Sequence, residues 1–187
     1  MSAVGTFADM LGVAKPGDYL FLWDKTPISY AIEELTESAE MLGPSHVISL
    51  WTFPEYSDEM YETEAVFTPF CNGCRMLPLS HYARSKNRML LCRRAGATAL
   101  DIAQACGQAL QALGRQYEIK EEFQILEHKI MPWVLPHETD NRLYCSGYLQ
   151  WEWRLGSVPF TPASNGGNLT PMGCMLDAKT EYVMQVN

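Results

Sequence analysis

No apolar run in the chain approaches the roughly 20 residues that cross a bilayer as a helix, and the opening residues lack the basic, then apolar, then small-residue order of a secretory leader. The expectation is therefore a cytoplasmic protein with no integral membrane segment. Positive charge is scarce: 14 Lys and Arg stand against 22 Asp and Glu, for a formal net charge of −8. A nucleic-acid backbone would be repelled over most approaches, so no nucleic-acid partner is expected. The nearest thing to a basic patch, Arg84, Lys86, Arg88, Arg93 and Arg94, reads mostly as a solvated edge. Metal-ligand spacing is lacking too. Cys71-Asn72-Gly73-Cys74 is a lone C-x-x-C, with no second pair and no paired histidines to complete the four ligands zinc needs. A redox pair of the thioredoxin type opens a helix after a strand, whereas this one reads as a hairpin turn with incidental cysteines. No metal and no cofactor are expected. Internal repeats, low-complexity tracts and domain boundaries are missing as well, which leaves one domain over residues 1–187.

What is present is the composition of a folded globular protein, 47% hydrophobic and 19% charged, with enough chain to bury one sizeable core. The six cysteines (71, 74, 92, 106, 145, 174) are scattered through a chain that does not need staples, which favours free thiols. Phe7 to Val13 fits a short helix, and Tyr19 to Trp23 a compact strand. Thr26-Pro27 reads as a helix start followed by an apolar stripe of Ile28, Ala31, Ile32 and Leu35. His46 to Phe53 alternates as a strand with His46 at its mouth, and Met60 to Phe67 as another, with Met60, Glu62, Glu64 and Val66 on one face. So short a connection makes the two antiparallel neighbours, and a carboxylate of the second can then reach the imidazole of the first. Gly73 to Leu79 and Arg88 to Arg93 read as further strands. Thr98 to Asp101 reads as a capping box opening a helix whose stripe is Ile102, Cys106, Ala109, Leu110 and Leu113. Residues 117–134 fit a strand or an irregular wall, and Thr161 to Gly173 reads as a surface loop. The class is α+β.

The richest stretch runs from Arg142 to Gly156. Loop-forming residues give way here to helical periodicity, so Cys145 falls near the first turn of a helix. The free N–H groups and the dipole at a helix start favour thiolate over thiol. Leu149 and Trp153 follow Cys145 by fours, with Tyr148, Trp151 and Leu155 close by, so the helix is expected to be buried along the line that carries its cysteine. A cysteine, a histidine at a strand mouth and a nearby carboxylate make a nucleophile, a base and a group that orients the base. His137, shortly before the helix, is a rival base, and Glu62 a rival to Glu64. His81 and His128 read as surface or wall residues.

Gly17-Asp18, Leu35-Thr36-Glu37-Ser38, Pro44-Ser45-His46-Val47, Tyr61 to Ala65, Gly73 to Leu79 and Tyr144-Cys145-Ser146 follow one another in an order that resembles the circularly permuted papain-like cysteine hydrolases of the NlpC-type superfamily, within them the YiiX-like group. The resemblance spans about residues 16–160. It implies a papain-like core with the cysteine helix packed on an antiparallel sheet, Cys145 as nucleophile, His46 as general base and Glu64 as the residue that orients His46. It further implies cleavage of an amide or ester bond in a small peptide-like or lipid-linked substrate. Acyl transfer to a lipid or small-molecule acceptor, or a catalytically silent binding module, are the alternatives on the same fold. The family usually has Glu after Cys-Ser; this chain has Gly147.

Overall fold

The computed structural model describes residues 3–23, 43–68, 71–117, 144–161 and 170–186. In chain order these form β1 (Ala3–Gly5), α1 (Phe7–Val13), β2 (Tyr19–Trp23), β3 (His46–Phe53), β4 (Ser57–Thr68), β5 (Cys71–Pro78), a 3₁₀ turn (Leu79–Tyr82), β6 (Arg88–Arg94), α2 (Ala99–Ala112), α3 (Cys145–Trp153), α4 (Pro171–Met175) and β7 (Thr180–Val186). The class is α+β, built on a seven-stranded sheet in the order β1-β7-β6-β2-β3-β4-β5. Its pairings are antiparallel except for β1 with β7. The expected helix from Thr26, nearly all of the 117–134 segment, His128 and His137 lie outside the described residues. Among the described residues no helix is long and apolar enough to cross a membrane.

Strand alternation sorts the core into two clusters. Tyr19, Phe21, Val47, Trp51, Ala65, Leu90 and Cys92 face one way, where α2 and α3 pack on them. Leu20, Leu22, Ile48, Leu50, Met89 and Leu91 face the other way, covered by Met10 of α1 and Leu79 of the 3₁₀ turn. The sheet is thus buried on both faces, and β2 is apolar at all five positions because it lies inside.

Two helix starts carry capping boxes, the expected one at Thr98 and another at Thr6. Thr6 with Asp9, and Thr98 with Asp101, form reciprocal capping boxes that satisfy N–H groups the helices leave free. Asp101 does more: it also accepts from the Ser157 backbone N–H at 2.5 Å and from the Ser157 hydroxyl, fastening the start of α2 to the chain just after α3.

Four expectations need correction. Of the expected α2 stripe, Ala109 is buried and Ile102 and Cys106 pack partly buried on the core, but Leu110 is 40% exposed and Ala105 and Ala112 take buried places, because small side chains allow α2 to lie close against α3. Cys71 and Cys74 are not in a turn but within β5, paired to β4, and three residues apart on a strand they point to opposite faces. Gly73 between them has φ +146°, and a Cβ there would overlap the Arg115 carbonyl oxygen. Arg94 is no solvated edge: its buried guanidinium donates to the carbonyls of Val158 and Pro159 and pairs with Asp177 at 2.6 Å. Arg93 forks onto buried Asp18 with bonds of 2.6 and 2.7 Å. Within the expected 161–173 loop, Thr170 caps the short helix α4 with Pro171 at its first position.

Candidate active site

Cys145 is the first residue of α3, with Tyr144 as the extended N-cap residue, and it is buried at 4% exposure. Leu149, Tyr148 and Trp153 seal the helix into the core as expected. Leu155 does not join them, since the helix ends at Trp153 and turns Leu155 out to 57% exposure. Trp151 is half-buried between the guanidinium groups of Arg115 and Arg154, at 4.2 and 3.1 Å from its ring centre.

His46 is the first residue of β3, and its side chain is 18% exposed. By alternation it belongs with Ile48 and Leu50 of the second cluster, whereas Cys145 packs in the first. The two meet at the end of the strand, where the imidazole interacts with both Cys145 and Glu64. The Glu64 bond is made by Nε2, at 2.6 Å to Oε2. The β3–β4 register sets Ser49 opposite Thr63, so Glu64 lies diagonally across from His46, on the same face.

Glu64 is 1% exposed and satisfied on every side. Besides His46, Oε1 accepts from Arg75 Nε at 2.7 Å and from a terminal nitrogen of the same guanidinium at 2.5 Å, while Oε2 accepts from the Tyr82 hydroxyl at 3.1 Å. Arg75 stands directly opposite Glu64 in the β4–β5 register. Burial opposes the Glu64 charge, but the His46 and Arg75 contacts outweigh it and hold the carboxyl below its ordinary range. For His46, burial opposes the proton, and the bonds and charges of Cys145 and Glu64 overcome that opposition, raising it well above the ordinary imidazole value.

The rival Glu62 shares the face of Glu64 but makes no hydrogen bond to His46. It is completely buried, and neither carboxyl oxygen has a partner among the described residues. Burial first, then the charge of Glu64, raises it far above the usual carboxylate range, so Glu62 is a neutral acid at pH 7. His81 is exposed, as expected, and its ring touches only that of Tyr82 among the described aromatic residues. Arg75 and Tyr82 are the members of the site that sequence reasoning missed. The signal for Arg75 is the register opposite Glu64, which appears once the strands are paired; Tyr82 comes from the 3₁₀ turn that follows β5 and has no such signal. Among the described residues no cluster of His, Cys, Asp and Glu has the grouping of a metal site.

Gly147 acquires a local reason. A Cβ at this position would lie 2.7 Å from Cε1 and 2.9 Å from Cζ of Tyr144, whose ring is folded over the first turn of α3.

Compared with known proteins, the chain matches no family model, and no curated protein is detectably similar to it.

Proposed function

We propose that the protein is a cysteine hydrolase that cleaves an amide or ester bond through a covalent acyl-enzyme, on a circularly permuted papain-like core. The observation that carries this reading is the continuous chain of contacts from Cys145 through the His46 ring to Glu64, closed by Arg75 and Tyr82. Each group fits its task. The imidazole takes the thiol proton, and the resulting imidazolium is the form that buried Glu64 stabilises. The thiolate attacks the substrate carbonyl, and the free N–H groups of the first turn of α3 face the oxygen on which charge develops. The imidazolium then protonates the leaving amine or alkoxide, and a water activated by neutral His46 releases the acid and restores the thiol.

Of the two carboxylates in reach, Glu64 is the orienter because it contacts Nε2 and is held ionised; Glu62 is neutral and makes no such contact. The chain's acidic balance and the 18% exposure of His46 suit a small substrate reaching the end of β3 more than a polyanion. A peptide-like or lipid-linked amide or ester is the class proposed.

The test is selective alkylation. Iodoacetamide at limiting dose should modify Cys145 well ahead of the other five cysteines, as read by peptide mass spectrometry. Equal labelling of all six would remove the assignment. With a substrate in hand, Cys145→Ala and His46→Ala should each lower turnover by about 10⁴-fold. Glu64→Gln should lower it by roughly 10²-fold, all three variants remaining folded by circular dichroism. Acyl transfer, the second reading, is separated by whether water or an added hydroxyl or amine discharges the trapped acyl-enzyme.

A further inference from the structure

Glu152 is a charged-type residue with no exposed surface at all, seven positions beyond Cys145 on the same helix. Two turns of helix bring position 152 back to the face of position 145, about 10 Å along the axis. Its carboxyl group reaches both strands of the candidate site. Oε2 accepts from the Ser49 hydroxyl, three residues after His46 on β3. Oε1 accepts at 3.1 Å from the Thr63 hydroxyl, one residue before Glu64 on β4. Ser49 and Thr63 are themselves register partners, and the Trp51 indole N–H donates to Thr63 at 2.8 Å, so the two hydroxyl donors are held side by side on the sheet. One carboxyl thus bridges the helix of the nucleophile to the neighbours of the base and of its orienter.

Tyr148, one turn before Glu152 on the helix, gives its phenolic hydrogen to the Ala109 carbonyl at 3.1 Å and so ties the same helix to α2. Burial raises the Glu152 carboxyl to about 8, against the bonds it accepts, which favour its charged form. The other titratable groups within its electrostatic reach are Cys74 of β5 and Cys106 of α2.

We propose that Glu152 is a positioning residue of the proposed hydrolase: it ties the cysteine helix to β3 and β4 and thereby sets the approach of Cys145 to His46. Hydrophobic packing alone would leave α3 free to slide on a face of similar side chains, whereas two directional bonds to two strands admit one placement. A shift of about 1 Å between nucleophile and base is enough to cost about 10²-fold in rate. The inference rests on the Cys145–His46 reading and concerns what holds that pair in place.

The experiment follows iodoacetamide labelling of Cys145 in the whole protein from pH 5 to 10, for wild type, Glu152→Gln, Glu152→Leu and Ser49→Ala. Gln can still bridge the two strands, accepting from one hydroxyl on its oxygen and donating to the other from its nitrogen, so its labelling rate and pH profile should stay within about twofold of wild type. Glu152→Leu removes both bonds and should slow Cys145 at pH 7 by about tenfold or more and displace its pH profile, while labelling of half-buried Cys71 is unchanged. Ser49→Ala removes one bond and should fall between; it carries the test alone if the Leu variant does not fold. A wild-type profile in the Leu and Ser49→Ala variants, or a Gln variant as impaired as Leu, overturns the proposal with the hydrolase reading intact. Uniform labelling in wild type removes the hydrolase reading and this proposal with it.

Discussion

At the scale of single residues, Gly147 shows how little room surrounds the nucleophile. In an ordinary helix Gly→Ala gains about 1 kcal/mol from backbone entropy. Here the added methyl would meet the buried Tyr144 ring at 2.7 Å, and overpacking of that kind costs typically about 1–3 kcal/mol. The second effect outweighs the first, so Gly147→Ala should lower the midpoint of thermal unfolding and slow alkylation of Cys145; a more stable variant with unchanged labelling would contradict the placement of the ring. Glu62 and Glu64 make the same point about context. They are the same residue type two positions apart on one face, yet Arg75, Tyr82 and His46 hold the charge of one, while burial with no hydrogen-bond partner among the described residues, together with the charge of Glu64, favours the neutral form of the other. From sequence, both were open candidates to orient His46, because alternation assigns a face and not a partner.

At the scale of elements, the Thr98–Asp101 helix start and the strands β2 and β3 were legible because local chemistry writes them: Thr and Asp three apart, a compact apolar run, or alternation over eight residues. Strands β1 and β7 were not read, since Ala3–Gly5 has no side chain pattern of its own and gains its state by pairing with β7. The stripe of α2 was legible in Ile102, Cys106 and Ala109, which pack on the core, but not in Ala105 and Ala112, because close helix packing selects alanine where a hydrophobic pattern looks for larger side chains. The Asp101 box is a place where an element can be tested. Side-chain and backbone donors from Thr98 and Ser157 hold this carboxyl below its ordinary value. A group depressed on folding contributes stability that is present above its unfolded value and is lost as pH falls through the folded one. Asp101→Asn should therefore lower the melting temperature at pH 7, and the difference from wild type should narrow below about pH 4; a difference independent of pH would show that charge is not what the cap uses.

For the molecule as a whole, buried titratable groups bound the pH range from both sides. Glu64, Asp101 and Asp177 are held low by their partners and lose their contribution in acid. Glu62 and Glu152 are raised, chiefly by burial, so the folded chain keeps protons that the unfolded chain releases above the ordinary carboxylate range near 4.5. For such a group stability falls as pH rises from its unfolded value to its folded one, about 8 for Glu152, with a slope of at most about 1.4 kcal/mol per pH unit. His46, raised by Cys145 and Glu64 against its burial, acts in the same direction: its contribution is full below 6.5 and is lost as pH climbs through its folded value. Melting temperature should thus decline from mildly acidic to alkaline pH. Glu62→Met, which fills similar volume without an ionisable group, should raise it at pH 8 and flatten that decline. A variant whose decline runs parallel to wild type would show that Glu62 does not set it.

The sequence by itself determined the periodicities, the caps, the placing of Cys145 at a helix start and of His46 at a strand mouth, because each depends on residues within one or two turns of one another. Only the tertiary structure decided what those groups touch. That His46 finds Glu64 and not Glu62, that Arg75 and Tyr82 complete the carboxylate, that Arg94 is buried, and that Glu152 lies inside between helix and sheet all depend on register and packing between segments far apart in the chain. A carboxylate on a helix reads as solvent-facing unless donors from other strands are brought to it. The stretch around Cys145 therefore names the nucleophile of the proposed reaction, and the contacts of His46, Glu64 and Glu152 give it a fixed place from which to act.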